Sequence, residues 1–112
     1  MILYGISNCD TIRKARKWLT AKGADFQFHD FRKDGLEPKL LKQWVKQLGW
    51  ETLLNRRGTT WRKLPEKTRD EIDENKAIKI MLESPTIIKR PVLVTGKKIL
   101  VGFNEEQYQD LI

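Results

Sequence analysis

The sequence predicts an α/β protein with a mixed sheet. Three observations predict it. An apolar strand, a basic helix and a second apolar strand follow one another from Ile2 to Phe31. Two β-branched runs flank Gly96-Lys97 near the C-terminus, the pattern of a hairpin. Between these halves lies a block of helical periodicity, about residues 36–86.

Ile2 to Ile6 reads as the first strand and Ser7-Asn8 as a polar turn. Asp10 and Thr11 are candidate N-caps for a helix carrying Ile12, Ala15, Trp18 and Leu19 on one face, with Gly23 as its stop. Phe26, Phe28 and the run His29 to Phe31 form a second strand, and Arg32 to Gly35 a turn. Strand, helix and strand at this spacing make a βαβ unit, with parallel strands and a right-handed crossover. Pro38 opens a helix with Leu41, Trp44, Val45 and Leu48 on one face and Gly49 at its end. Leu53-Leu54 closes a short helix, Asn55 to Gly58 is a polar turn, and Thr59 to Arg62 follows. Glu66 to Asp73 and Asn75 to Leu82 read as helices, with Asn75 as a cap and Ala77, Ile80 and Met81 as a buried face. Pro85 ends the run. Pro91 to Thr95 and Lys98 to Val101 are strands around a type II′ turn at Gly96-Lys97. Asn104 and Gln107 have capping-box spacing, and Phe103 with Tyr108 makes a hydrophobic staple for a short last helix. A βαβ half and a ββα half sharing one sheet is the layout of a thioredoxin-like fold, with a helical insertion between the halves. The chain reads as one domain over 1–112.

Composition narrows the partners. The chain has 112 residues and a net charge of +7, with ten Lys/Arg against five Asp/Glu in residues 1–50 and twelve against ten in the rest. That balance suits an anionic ligand or an acidic partner. Without zinc-finger spacing, an RRM signature or an Arg/Gly repeat, nucleic acid is disfavoured. No apolar run is long enough to span a bilayer, and the N-terminus lacks a basic n-region and small-residue cleavage site. The cytoplasm is the default expectation. One cysteine, Cys9, excludes an intramolecular disulfide and a multi-cysteine metal site. No metal is expected, and any resolving thiol has to come from another molecule.

Cys9 falls at the end of a buried strand and the start of a helix. Unpaired N–H groups there favour a thiolate over a thiol. The competing reading is a cysteine buried as a small hydrophobe. Asp10, beside it, works against a thiolate, and Arg13, one turn on, works for it. Two basic clusters complete the chemistry. Arg56-Arg57 lies in a turn, and Lys89-Arg90 directly precedes Pro91, an X-Pro bond where cis geometry occurs. Guanidinium groups suit oxyanions because they offer bidentate hydrogen bonds at fixed charge. Each arginine taken singly reads as a solvated surface charge. His29, the only histidine, reads first as a structural or surface residue and second as a base near Cys9. The four tryptophans read as mostly core by spacing, with Trp61 the one suited to line a site.

The strand–NCDT–helix opening, the LLNRRGTTWRKL segment and the PTIIKRPVLV…LVGFNEE segment resemble the ArsC/Spx family over the full length of the chain, and the opening resembles its YffB-like branch. The resemblance implies a thioredoxin fold with a helical insert. It also implies a glutathione-dependent thiol reductase of the arsenate-reductase type. Cys9 falls on the nucleophile that attacks arsenate and then forms a mixed disulfide with glutathione. Arg90 falls on the arginine before the cis-proline. The middle arginine of the reductases follows Leu-Leu directly, where this chain has Asn55, so Arg56 or Arg57 has to substitute, with Arg56 favoured. Asn8, Asp10, Thr11, Arg13, Arg57 and Pro91 are the implied substrate-binding residues. Glutathione is the implied co-substrate and glutaredoxin a further partner, with a small anionic or thiol substrate. Three departures argue against arsenate itself: Asn55, the lack of a third arginine near Gly102, and Gly5 where the reductases place a histidine. The alternative implied by the resemblance is a non-catalytic Spx-like module binding an acidic partner such as the RNA polymerase α subunit. Spx regulators carry a C-x-x-C switch, which Ile12 rules out in this chain.

Overall fold

A computed structural model of the chain describes residues 1–96 and 98–112. In chain order the elements are β1 (Ile2–Gly5), α1 (Asp10–Ala21), β2 (Gln27–Asp30), α2 (Phe31–Asp34), α3 (Pro38–Leu48), α4 (Trp50–Leu53), α5 (Thr59–Arg62), α6 (Glu66–Asp70), α7 (Glu74–Glu83), β3 (Val92–Thr95), β4 (Lys98–Val101) and α8 (Glu105–Gln109), with a 3₁₀ turn at Pro85–Ile87. The chain forms two compact units. Met1–Gly35 with Arg90–Ile112 makes the first, and Leu36–Lys89 the second.

The first unit is built on a four-stranded sheet, order β2-β1-β3-β4 among the described residues. β1 is parallel to β2, with Ile2 opposite Gln27 and Gly5 opposite Asp30, and antiparallel to β3, with Leu3 opposite Leu93. β3 and β4 pair antiparallel. This is the thioredoxin-like arrangement read from the sequence. The type II′ turn expected at Gly96-Lys97 involves Lys97, outside the described residues. Strand alternation sends Leu3 and Leu93 into a fully buried cluster with Ala15, Leu19 and Tyr108. Trp18, Phe26, Phe28, Leu100 and Phe103 pack against it. Tyr4, next to Leu3 and so pointing the other way, stacks at 4.8 Å on His29 and at 6.1 Å on Phe31. Asn104 accepts the Gln107 N–H at 3.0 Å, and the Phe103 and Tyr108 rings meet at 5.0 Å, as the cap and staple require.

The second unit encloses Leu41, Trp44, Val45, Leu53, Leu54, Ala77, Met81, Ile87 and Ile88. It ends at Lys89 rather than near residue 86. Ile87 and Ile88 are buried, Leu54 bridges Ile88, the Asn55 N–H donates to the Ile87 carbonyl at 2.8 Å, and the Lys89 N–H donates to Leu53 at 2.8 Å. Apolar pairs just before a proline look like strand in a sequence; here they close the helical unit.

Four local expectations are corrected. Cys9, not Asp10 or Thr11, is the N-cap of α1, because its carbonyl already accepts the Arg13 N–H at 3.0 Å. Asp73, not Asn75, caps α7 by accepting the Lys76 N–H at 2.9 Å, and α6 stops at Asp70. Phe31 begins the turn α2 instead of finishing β2, since Asp30 takes the Arg32 N–H and caps it. Of the tryptophans only Trp44 is fully buried; Trp18, Trp50 and Trp61 are half-buried.

Candidate functional site

Cys9 stands where β1 gives way to α1, half-buried and at the N-cap of the helix, with extended backbone angles (φ −115°, ψ 129°) that set its side chain beside the unpaired N–H groups of the first turn. Partial burial pushes the thiol pKa up. Hydrogen bonds from the Ile12 N–H, the Arg90 side chain and the Thr11 N–H, with the Arg90 charge, outweigh burial and hold the thiol below its ordinary range. Cys9 and Arg90, far apart in sequence, are therefore brought together within the first unit. The bond from Arg90 to Pro91 is cis, and the buried Pro91 carbonyl accepts the Gly102 N–H at 2.8 Å.

The other residues expected around the thiol divide. Asn8 and Thr11 are exposed beside it, with the Thr11 N–H directed at the sulfur. Arg13 ion-pairs with Asp10 at the surface, so the two opposing influences expected from them cancel against each other. His29 is a structural residue: its Nε2–H donates to the Gly35 carbonyl at 2.7 Å, and its ring packs on Tyr4 and Phe31.

Arg56 and Arg57 belong to the second unit. The Arg56 guanidinium lies between two indoles, 5.5 Å from the Trp50 ring centre and 5.6 Å from that of Trp61. Trp61 is thus the seat of an arginine. Asn55 builds the turn by accepting the Arg57 N–H at 3.1 Å. Arg56, Arg57, Lys89, Asn55, Glu51 and Leu54 line a polar groove of about 390 Å³. Its three cations against one carboxylate suit an anion.

Two contributions were not anticipated from the residues. Gly5 is filled by its neighbour: a Cβ there would lie 2.2 Å from Ile12 Cδ1 and 2.9 Å from Cγ1, so any side chain at this position displaces Ile12. Gly102 has φ 85°, a left-handed angle that disfavours an arginine at the exit of β4. The second contribution is Asp30, the buried carboxylate at the end of β2, only 4% exposed. It accepts the Ser7 N–H at 3.3 Å through one oxygen and the Arg32 N–H at 2.8 Å through the other. An acidic residue closing a Phe-alternating strand, two residues before a backbone N–H it can cap, was the available signal.

Among the described residues no cluster of three His, Cys, Asp or Glu side chains could hold a metal ion, and no helix is long and apolar enough to cross a membrane.

The ArsC family model matches residues 4–111. The solved YffB (PA3664) protein is 47% identical, with a TM-score of 0.93 over 97% of this chain and 96% of that one. An arsenate reductase (ArsC) related protein from Brucella melitensis is 49% identical, with a TM-score of 0.82 over 97% and 91%. The global transcriptional regulator Spx of Lactiplantibacillus plantarum is 28% identical over 96% of this chain and 82% of its own. The fold is arsenate-reductase-like, and the relatives include both reductase-related proteins and regulators.

Proposed function

The chain belongs to the ArsC family, and on that premise we propose that it is a thiol oxidoreductase of the arsenate-reductase type, with Cys9 as nucleophile and glutathione as co-substrate. One arrangement carries the reading: Cys9 is the N-cap of α1, and Arg90, held by the cis bond to Pro91, acts on its thiol. A structural cysteine gains nothing from such an arrangement.

In this reading the Cys9 thiolate attacks the electrophilic atom of the substrate, expelling a thiolate from a disulfide sulfur or hydroxide from the central atom of an oxyanion. Arg90 stabilises the thiolate before attack and the negative charge that moves to the substrate afterwards. A glutathione thiolate then attacks the Cys9 sulfur, forming the Cys9–glutathione disulfide and breaking the bond to the substrate, which leaves with that electron pair as the reduced product. A second thiol, from glutathione or glutaredoxin, attacks the glutathione sulfur, releases the disulfide and restores Cys9. Two thiols lose one electron each, and the substrate gains two. Taken by itself, the polar groove of the second unit, with Arg56, Arg57 and Lys89, suits an anionic group. Asn55, Gly5 and Gly102, where the reductases carry arginine, histidine and arginine, favour a substrate other than arsenate.

The test is turnover of a small disulfide substrate with glutathione, coupled to reduction of the glutathione disulfide formed. The wild-type chain turns over and shows a Cys9–glutathione adduct by mass spectrometry, and Cys9→Ser does neither. Activity surviving in Cys9→Ser would sink the proposal. A wild-type chain with neither turnover nor adduct would favour the second reading, drawn from the 28% identity to Spx: a regulator that binds an acidic protein partner.

A further inference from the structure

The loop that delivers Cys9 is tied to the neighbouring strand β2. Ser7-Asn8 leaves β1 and turns into α1, and both residues are exposed. The fixed point of this loop is Asp30, across the parallel pair and opposite Gly5 in the register. One carboxylate oxygen takes the Ser7 N–H at 3.3 Å, and the Ser7 hydroxyl also hydrogen-bonds this carboxylate. The other oxygen takes the Arg32 N–H at 2.8 Å, while the Asp30 N–H donates to Asp34 at 3.1 Å. The carboxylate is thus held rigidly from the β2 side and holds the Cys9 loop on the other.

We propose that Asp30 is a positioning residue for Cys9, fixing the Ser7-Asn8 turn so that the sulfur sits within reach of the Ile12 and Thr11 N–H groups and of Arg90. The proposal rests on the reading of Cys9 as the nucleophile. The chemistry explains why a carboxylate, rather than an apolar residue, occupies a site 4% exposed. A charged acceptor can satisfy several N–H and O–H donors at once, and it is tolerated in the interior only when so satisfied. Burial pushes the pKa of Asp30 up, but the N–H groups of Arg32, Ser7 and Lys33 and the Ser7 hydroxyl more than compensate and hold it ionised. A cap for α2 alone requires only one oxygen. The second oxygen is committed to the loop ahead of the thiol.

The experiment follows alkylation of Cys9 by iodoacetamide against pH in the wild type, Asp30→Ala and Asp30→Asn, with folding checked by far-UV circular dichroism. Asp30→Asn keeps the shape and an acceptor for Arg32, so it carries the test where Asp30→Ala does not fold. The expected result is a higher titration midpoint in both variants. The rate at pH 7 falls at least about threefold, because the thiolate fraction drops tenfold for each unit of pKa, while the rate at pH 10 stays near that of the wild type. Leu100→Ala, which loosens the packing against the sheet core, costs stability and leaves the midpoint in place. Folded Asp30 variants with the wild-type midpoint and rate would overturn the proposal alone. An ordinary midpoint in the wild type would overturn the nucleophile reading, and the proposal with it.

Discussion

Gly5→Ala offers a test of how closely packing and chemistry are joined at the start of α1. The added Cβ would lie 2.2 Å from Ile12 Cδ1 and 2.9 Å from Cγ1. Carbon atoms rest at about 3.5–4.0 Å, so the overlap exceeds an ångström. Ile12 is fully buried and has no free volume to swing into. Overpacking of this kind costs about 1–3 kcal/mol, and the lower chain entropy of unfolded Ala returns about 0.4–1 kcal/mol. A net loss of about 1–2 kcal/mol follows from the two. Ile12→Val removes the atom nearest the clash and by itself costs about 0.5–1.5 kcal/mol. In the double variant the 2.2 Å contact is gone and only the 2.9 Å contact with Cγ1 remains, so urea unfolding should reveal a favourable coupling of about 1 kcal/mol. The same displacement moves the Ile12 N–H away from the sulfur. The Cys9 titration midpoint should therefore rise in Gly5→Ala and return in the double variant. Additivity within about 0.5 kcal/mol, or a Cys9 midpoint indifferent to Gly5→Ala, would refute the reasoning.

The remaining predictions concern Arg90 and Tyr108. Arg90→Met keeps the volume of the side chain and removes its charge and hydrogen bond, so Cys9 should alkylate about threefold to tenfold more slowly at pH 7; an unchanged rate would remove Arg90 from the site. Arg90→Lys restores the charge without the planar fork, and its rate should fall between the two. Tyr108 is fully buried, and its hydroxyl has no hydrogen-bond partner among the described residues. Tyr108→Phe should therefore stabilise the chain by about 1 kcal/mol in urea unfolding, whereas a loss of similar size would mean that the hydroxyl is partnered. Burial raises the Tyr108 pKa far above its ordinary 10.0. The neutral phenol is favoured in the folded chain, so above pH 10, where the unfolded chain ionises and the folded one does not, stability falls as the pH rises toward the folded value. Tyr108→Phe should flatten that alkaline loss.

Much of the arrangement was legible because its signals are local and periodic. Leu3, Ala15 and Leu19 announce a strand and a helix that share one core, and parallel pairing of β1 and β2 follows from the length between them. Cys9 stood out as the only thiol at a strand-to-helix junction. The errors lie where several residues compete for one task. Asp73 and Asn75 are both good caps, and only the hydrogen bond to Lys76 decides between them. Asp10 looked like the cap of α1 because its chemistry fits, yet the helix begins one residue earlier and leaves its carboxylate to Arg13. The parts played by Asp30 and Gly5 were missed for a different reason. Their partners, Ser7 and Ile12, reach them only through the folded backbone, and no local pattern encodes such a contact. The resemblance marks Gly5 as the place of a histidine in the reductases, and the fold adds that Ile12 already takes that space.

The sheet of the first unit is stitched from both ends of the chain, with β1 paired to β3 through Ile2 and Val94. During synthesis the Leu36–Lys89 unit leaves the ribosome whole, while β1 waits for nearly the entire chain before its central partner exists. Arg90 arrives with that same late segment. A nascent or truncated chain carries Cys9 as an ordinary thiol, with a pKa near 8.5 and little tendency to react in the cell. Cys9 gains Arg90 only when the first unit has closed, so the pairing belongs to the whole unit and to no shorter piece of it.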